Sequence, residues 1–464
     1  MNPEVNTLDE SSRRAPLLLL TAAVLWLAVS GVLGLLSSLQ LHDPAFLSCC
    51  SILTHGRVEA LAETSFLYGW LANAGLAFAL WILTRLGGEP LRAQNWAFFG
   101  TVFWNLGVAV ALVGVATGDR TGFDLLELPR YAQPILLFAY AAIAVPGILA
   151  WGGRKRPMAY ASQWYAVAAL FLFPWFFSVA QAMLFWVPVR GVMQAVVAGW
   201  YAQAAWTLWI APLALAVSYY IVPKITGRTV RAYEFALLGF WSLLFLGAWT
   251  GGRHLIGGPV PAWIPAVGVV TTGLLIFHYL VVFINLRDAF SFPGAALRFV
   301  AFGLLAYLVS AVGDFLTAFN SIALITHFTY FEAAQRQLAF YGAASMMLFG
   351  GLYYGLPKIS GRAWASCALV KAHLILSGAG IVLLVVSLAG AGVVQGGSLL
   401  DPAISFDAIG RLTRPWLLAA SGAQALLLLG NLLMLLNFLR TACCCREKAE
   451  ALLSSLSSVE APAS

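Results

Sequence analysis

An all-α polytopic membrane protein is the fold class this sequence predicts, and three observations predict it. Hydrophobic residues make up 61% of the 464 residues and charged residues only 10%, whereas a soluble chain carries roughly a quarter charged residues. Apolar runs of about 20 residues, long enough to span a bilayer as helices, recur along the whole length. Those runs are continuous, with no alternation of period two, which argues for helices over a β-barrel.

Reading the runs between charges, prolines and glycines predicts twelve spans. The first, 16–40, follows Arg13 and Arg14; Arg85 and Arg92 separate the second, 64–85, from the third, 94–117. The fourth and fifth, 134–152 and 159–187, flank Arg154, Lys155 and Arg156. The sixth, 191–222, runs up to Lys224, and the seventh, 232–256, follows Arg228 and Arg231. The eighth, 262–286, stops at Arg287, the ninth, 297–319, starts at Arg298, and the tenth, 329–357, stops at Lys358. The eleventh, 368–392, holds Lys371 in its first turn, and the twelfth, 413–440, closes on Arg440.

With the N-terminus cytoplasmic, 18 Lys and Arg fall in inner segments and 7 in outer ones, and Arg336 lies within a helix. That asymmetry satisfies the positive-inside rule, and an even number of spans puts both termini inside. The net charge of +7 thus reports orientation and not nucleic-acid binding. The expected organisation is a polar cytoplasmic tail at 1–15, one membrane domain at 16–440 and a cytoplasmic tail at 441–464. No cleavable signal peptide is expected, because the start is polar and the first apolar run is too long. Cys49 and Cys50 sit in an outer loop, Cys367 opens the eleventh span, and Cys443, Cys444 and Cys445 follow the last. The three consecutive thiols suit acylation or a metal in principle, but no His or second Cys pair sits near them at zinc spacing, so they read as an ordinary juxtamembrane segment.

In collinear order, Ser218 to Lys224, Trp249 to Leu255 and Phe349 to Lys358 resemble segments of the catalytic subunit (subunit I) of cbb3-type cytochrome c oxidases, in the haem–copper oxidase superfamily. Ser218-Tyr-Tyr-Ile-Val-Pro-Lys224 and Phe349-Gly-Gly-Leu-Tyr-Tyr-Gly-Leu-Pro-Lys358 are similar to the ends of that family's sixth and tenth helices. Trp249-Thr-Gly-Gly-Arg-His-Leu255 resembles its Trp-x-Gly-x-His-His-Leu. Gly380 to Ser387 with Ala391 to Gly396 is similar to its eleventh helix, and Asn437-Phe-Leu-Arg-Thr441 to its ending. The resemblance covers about residues 50 to 441 and implies the twelve-helix haem–copper oxidase subunit I-like fold.

In that family two His hold a six-coordinate haem, one holds a five-coordinate haem and three hold copper, imidazole nitrogen suiting both metals. Carried over, the resemblance puts the haem-ligand positions at Ala62, Gln335 and Gln337, and the copper positions at Gln203, Arg253 and His254. The tyrosine that the family cross-links to a ligand falls at Gly247. Five of the six ligand positions thus carry Ala, Gln or Arg, and Arg does not deprotonate to bind metal. The expectation is no catalytic residue, no cofactor and no metal; the alternative is haem b and copper held by other ligands.

His254 is the one ligand-type residue left, and it reads as a hydrogen-bonded outer-rim histidine. His327 and His373 also fit places where the family often has His, neither of them a metal ligand. His42 and His55 lie in the first outer loop, and His278, alone in the eighth span, reads as an interhelical hydrogen bond. Arg336 needs a partner inside a span: Glu332 lies one turn earlier on the same face, and Asp314 is the other candidate. The expectation is a polar network of Gln203, Asp314, Glu332, Gln335, Arg336 and Gln337, or equally independent pairings of these residues in a repacked core, with large apolar residues filling the remaining space.

The function expected is a ligand-depleted homologue of the oxidase catalytic subunit, a non-catalytic membrane subunit of a respiratory electron-transfer complex. Its expected partners are the lipid bilayer and other respiratory subunits, and its place the bacterial inner membrane. Acidic outer loops with Asp119, Asp124, Glu127, Asp401 and Asp407 are a candidate docking face for a periplasmic cytochrome, although ordinary solvated loops are the preferred reading. The alternative is an active terminal oxidase or nitric-oxide reductase subunit with non-standard ligands. A small-solute or proton transporter comes third, since no internal repeat or matched pair of broken helices is present.

Overall fold

The computed structural model describes residues 8, 10–155 and 158–457, with side chains as far as 442. Every regular element among them is helical. The main helices are α1 (Arg14–His42), α2 (His55–Gly87), α3 (Gln94–Thr117), α4 (Ala132–Gly152), α5 (Ala161–Trp186) and α6 (Val192–Thr226). They continue as α7 (Tyr233–Leu255), α8 (Trp263–Phe290), α9 (Ala295–Leu316), α10 (330–360), α11 (Cys367–Leu399) and α12 (Phe406–Ser457). A short helix, Asn320–Thr326, lies between α9 and α10.

Eleven of these helices are long and apolar enough to cross a membrane, against the twelve expected. The difference is α10. It is continuous helix, but tyrosines and glycines dilute its apolar stretch, and Glu332 and Arg336 occupy its first two turns. Two boundaries also shift. Helix α2 begins at His55 and not near 64, because its first turns are polar and hydropathy marks only the part inside the bilayer. Helix α12 continues to Ser457 through most of the expected tail, where the side chains of Cys443, Cys444 and Cys445 lie outside the described residues.

Consecutive helices pack on one another and α12 returns to pack on α1, closing a ring. Three helices sit inside it. The apolar stretches of α2 and α6 are 94% and 100% buried, against 33% for α1 and α12, and α10 packs against both α2 and α6. Apolar side chains gain little by leaving lipid for protein, so such helices hold together by close fit. Gly351 of α10 provides it: a Cβ there would lie 2.8 Å from Val217 of α6 and 2.9 Å from Phe78 of α2. At one face, termed inner, all three central helices end in a left-handed glycine, Gly88, Gly227 and Gly361. Beside those ends Tyr220 meets Trp81 and Tyr354 edge-on, and the Lys358 ammonium lies 4.8 Å from the Tyr354 ring centre.

Candidate functional site: a charged cavity at the outer ends of the central helices

Each central helix contains one π-helical stretch: Ser65–Leu71 in α2, Ala205–Ile210 in α6 and Leu338–Ser345 in α10. A π turn adds a residue to the helical repeat and rotates everything beyond it, and such turns recur at functional sites. The residues singled out by sequence lie immediately before these stretches: Ala62, Gln203, and Gln335 to Gln337. The π turns therefore set how the outer ends face one another.

The outer ends of α6, α7, α9 and α10 enclose a cavity of about 280 Å³. Gln203, Arg253, His254, Asp314, Glu332, Gln335 and Arg336 line it, together with Asp124 and His327. Trp206, Phe331 and Phe340 form apolar walls. Gln337 and Ala62 are both half-buried, and neither lines this cavity.

Arg253 is 8% exposed and is held on three sides. Its Nη2 donates to Asp314 Oδ1 at 2.7 Å, and its Nη1 donates to the Asp314 carbonyl at 3.1 Å. Its Nε donates to His254 Nε2 at 3.3 Å. Arginine has no acceptor, so His254 accepts through Nε2 and is the neutral Nδ1–H tautomer. Gly251 and Gly268 allow this arrangement: a Cβ on Gly268 would collide with the Arg253 backbone, and one on Gly251 would lie 2.8 Å from the Gly199 carbonyl.

Arg336 takes neither candidate partner that sequence spacing offered. Its Nη1 donates to Glu63 at 2.8 Å and its Nη2 to Asp124 at 2.9 Å. Asp314 belongs to Arg253, and Glu332 faces His327 at 3.5 Å. The His327 and His254 rings stand 6.2 Å apart, edge to face. A Cβ on Gly313 would strike the Gln335 amide, and Gln335 Nε2 is buried with no hydrogen-bond partner.

Sequence reasoning overlooked Glu63. It sits beside Ala62, in the stretch taken as a loop, and the half-helix His55–Thr64 brings it to α10. A second charged group sits just outside: Arg120 bonds to Glu127 and to the Gly56 carbonyl, at 2.9 and 2.8 Å. Burial, with Glu63 close by, pushes the Glu127 carboxyl up to about 7 despite Arg120. The acids considered for docking are thus largely used internally: Asp124 and Glu127 as above, Asp407 by Arg411, and Asp401 by the Ala403 amide.

The other histidines have separate surroundings. His278 bonds to the Gly239 carbonyl at 2.8 Å and to the Tyr307 hydroxyl at 2.9 Å. His373 meets the Tyr353 hydroxyl at 2.8 Å, and His42 meets Ser421 at 3.1 Å. His55 lies 3.6 Å from Glu59. Gly247 sits where a Cβ would lie 2.9 Å from Thr207, and its carbonyl accepts from Thr207 and Thr250. Cys49, Cys50 and Cys367 are exposed free thiols. Among the described residues no group of three or more His, Cys, Asp or Glu has the arrangement of a metal site.

The family model for cytochrome c and quinol oxidase polypeptide I matches residues 14–423. A cytochrome c oxidase subunit 1 homologue of Agrobacterium tumefaciens is 26% identical over 392 residues, 78% of this chain and 70% of its own. The cbb3-type cytochrome c oxidase subunit CcoN1 of Stutzerimonas stutzeri is 25% identical over 388 residues, covering 80% and 81%. A solved haem–copper terminal oxidase dimer shares the fold, with a TM-score of 0.71 at 15% identity over 92% of this chain and 84% of that one. With these matches added to the helical ring and its central trio, the chain is an integral membrane protein that belongs to the cytochrome c and quinol oxidase polypeptide I family.

Proposed function

We infer that this chain is a non-catalytic, subunit I-like component of a respiratory electron-transfer complex, in which a charge network replaces the metal centre. The observation that carries this reading is the Arg253 group. At positions that the resemblance assigns to copper, a guanidinium is locked to Asp314 and occupies His254 Nε2. A guanidinium has no lone pair to give a metal ion, and an imidazole nitrogen that already accepts a hydrogen bond is not free to ligate. Gln203 and Gln335 supply carboxamides where the metals call for imidazole.

The residues present therefore do not fit the family's haem and copper. The cavity of about 280 Å³ also falls below the roughly 300–1,000 Å³ of pockets for drug-sized ligands, and a haem is larger than those. Buried charges kept in ion pairs hold the helix ends in register, which suits a scaffold. The bacterial relatives and the distribution of Lys and Arg support an inner-membrane location with both termini in the cytoplasm.

Oxygen uptake by the purified protein, with an ascorbate-reduced mediator as electron donor, tests the reading. No uptake above the mediator blank is expected, together with co-purification of haem-containing subunits from native membranes. Cyanide-sensitive turnover by the chain alone would contradict it.

A further inference from the structure

The cavity's charge does not balance. Asp124, Asp314 and Glu332 line it with Arg253 and Arg336, and Glu63 binds Arg336 from behind. Four carboxylates thus face two guanidiniums; His254, as the neutral tautomer, adds no charge, and His327 lies 3.5 Å from Glu332. Each arginine is already engaged: Arg336 bridges Glu63 and Asp124, and Arg253 spends its donors on Asp314 and His254. An anion entering this space would find its cations neutralised and carboxylates around it. A cation would find acceptors, among them Asp314 Oδ2, to which no described residue donates.

A further observation points the same way. Trp206, Phe331 and Phe340 wall the cavity, and no Lys or Arg among the described residues sits over any of these rings. Aromatic faces attract a desolvated cation, Trp most strongly. The space, about 280 Å³, suits a molecule of a few heavy atoms.

We propose that the cavity between α6, α7, α9 and α10 is a binding site for a small organic cation, an alkylammonium with donor hydrogens and a short apolar portion. Its ammonium bonds to Asp314 and Glu332, and its apolar portion lies against Trp206 and Phe340. The proposal rests on the reading that no haem or copper occupies this space.

The test is ligand-dependent thermal stabilisation of the full-length protein in detergent. n-Butylammonium is the probe, and butyrate and n-butanol, of similar size, are the comparators. A saturable rise in Tm is expected with butylammonium alone. Glu332→Gln, at a half-exposed position, is expected to raise its apparent Kd about tenfold by removing one nearby charge, and Asp407→Asn, in the exposed α12 pair, to leave it unchanged. Equal shifts with butyrate or butanol, no saturable shift, or undiminished affinity in Glu332→Gln would each overturn the proposal. A reduced-minus-oxidised spectrum of the same sample separates the two ideas: a haem band sinks the functional reading, whereas no haem and no ammonium binding sinks this inference alone.

Discussion

The outer and inner halves of the central helices obey different rules. At the inner end, α2, α6 and α10 touch through glycines and aromatics, and the two Tyr-Tyr-x-x-Pro-Lys endings stand edge to edge. At the outer end, beyond the π turns, the same helices separate around a cavity held by Arg253–Asp314 and Arg336 with Glu63 and Asp124. The two Tyr-Tyr-x-x-Pro-Lys motifs of the family resemblance lie at the inner end, and the positions that the resemblance assigns to ligands lie at the outer end. The close helix packing and the charged cavity thus occupy different halves of the same helices, an arrangement in which a site can vary without the fold.

That contrast breaks most sharply at Asp314. Asp314→Ala leaves the Arg253 guanidinium buried without its carboxylate, and removing one partner of a buried pair costs about 3–5 kcal/mol. Loss of folded protein, or a large fall in Tm, is expected. The double replacement Arg253→Met with Asp314→Leu is expected to recover most of it, because no lone charge remains. If the single variant melts like the parent, the outer half is not held by this pair.

At the inner end the sensitive quantity is space. Gly351→Val places methyls where Val217 and Phe78 already lie, and overpacking of this kind costs about 1–3 kcal/mol. His278→Ala removes the hydrogen bonds to the Tyr307 hydroxyl and the Gly239 carbonyl, at about 1–3 kcal/mol. Thermal unfolding of each variant ranks them; equal tolerance of Gly351→Val and Gly351→Ala would show that the central helices do not approach as closely as described.

Glu127 supplies a pH signature confined to the outer half. Its folded value, about 7, is raised above the ordinary carboxylate value of 4.5. The folded state therefore holds a proton that the unfolded state has released. That contribution is fully present below about 4.5 and is lost as pH rises through 7. Glu127→Gln is expected to flatten the fall in Tm between pH 5 and 8 and to raise Tm at pH 8. An unchanged slope would remove Glu127 from the account. The smallest effect belongs to Asp407→Asn, whose exposed pair with Arg411 is worth at most about 0.5 kcal/mol.

Much of the architecture was legible because a bilayer-spanning helix needs a long apolar run, and eleven such runs became spans of nearly the expected extent. Hydropathy failed where a helix leaves the lipid. The polar start of α2 at His55 read as loop, and Glu63 was lost with it. The site was legible as positions and not as partners. Gln203, Arg253, His254 and Gln335 came from ordered motifs and share one cavity, but Glu63 and Arg336 lie 273 residues apart in the chain. No spacing rule links them. Helical periodicity offered Glu332 to Arg336, and the π stretch and the fold of the 118–131 loop gave it Glu63 and Asp124 instead.

A dithionite-reduced minus air-oxidised absorption spectrum of the purified protein, with metal analysis of the same sample, tests the central claim most directly. The account predicts no haem α-band and no stoichiometric copper. A b-type spectrum at near-stoichiometric haem would contradict it and return a redox role to this chain.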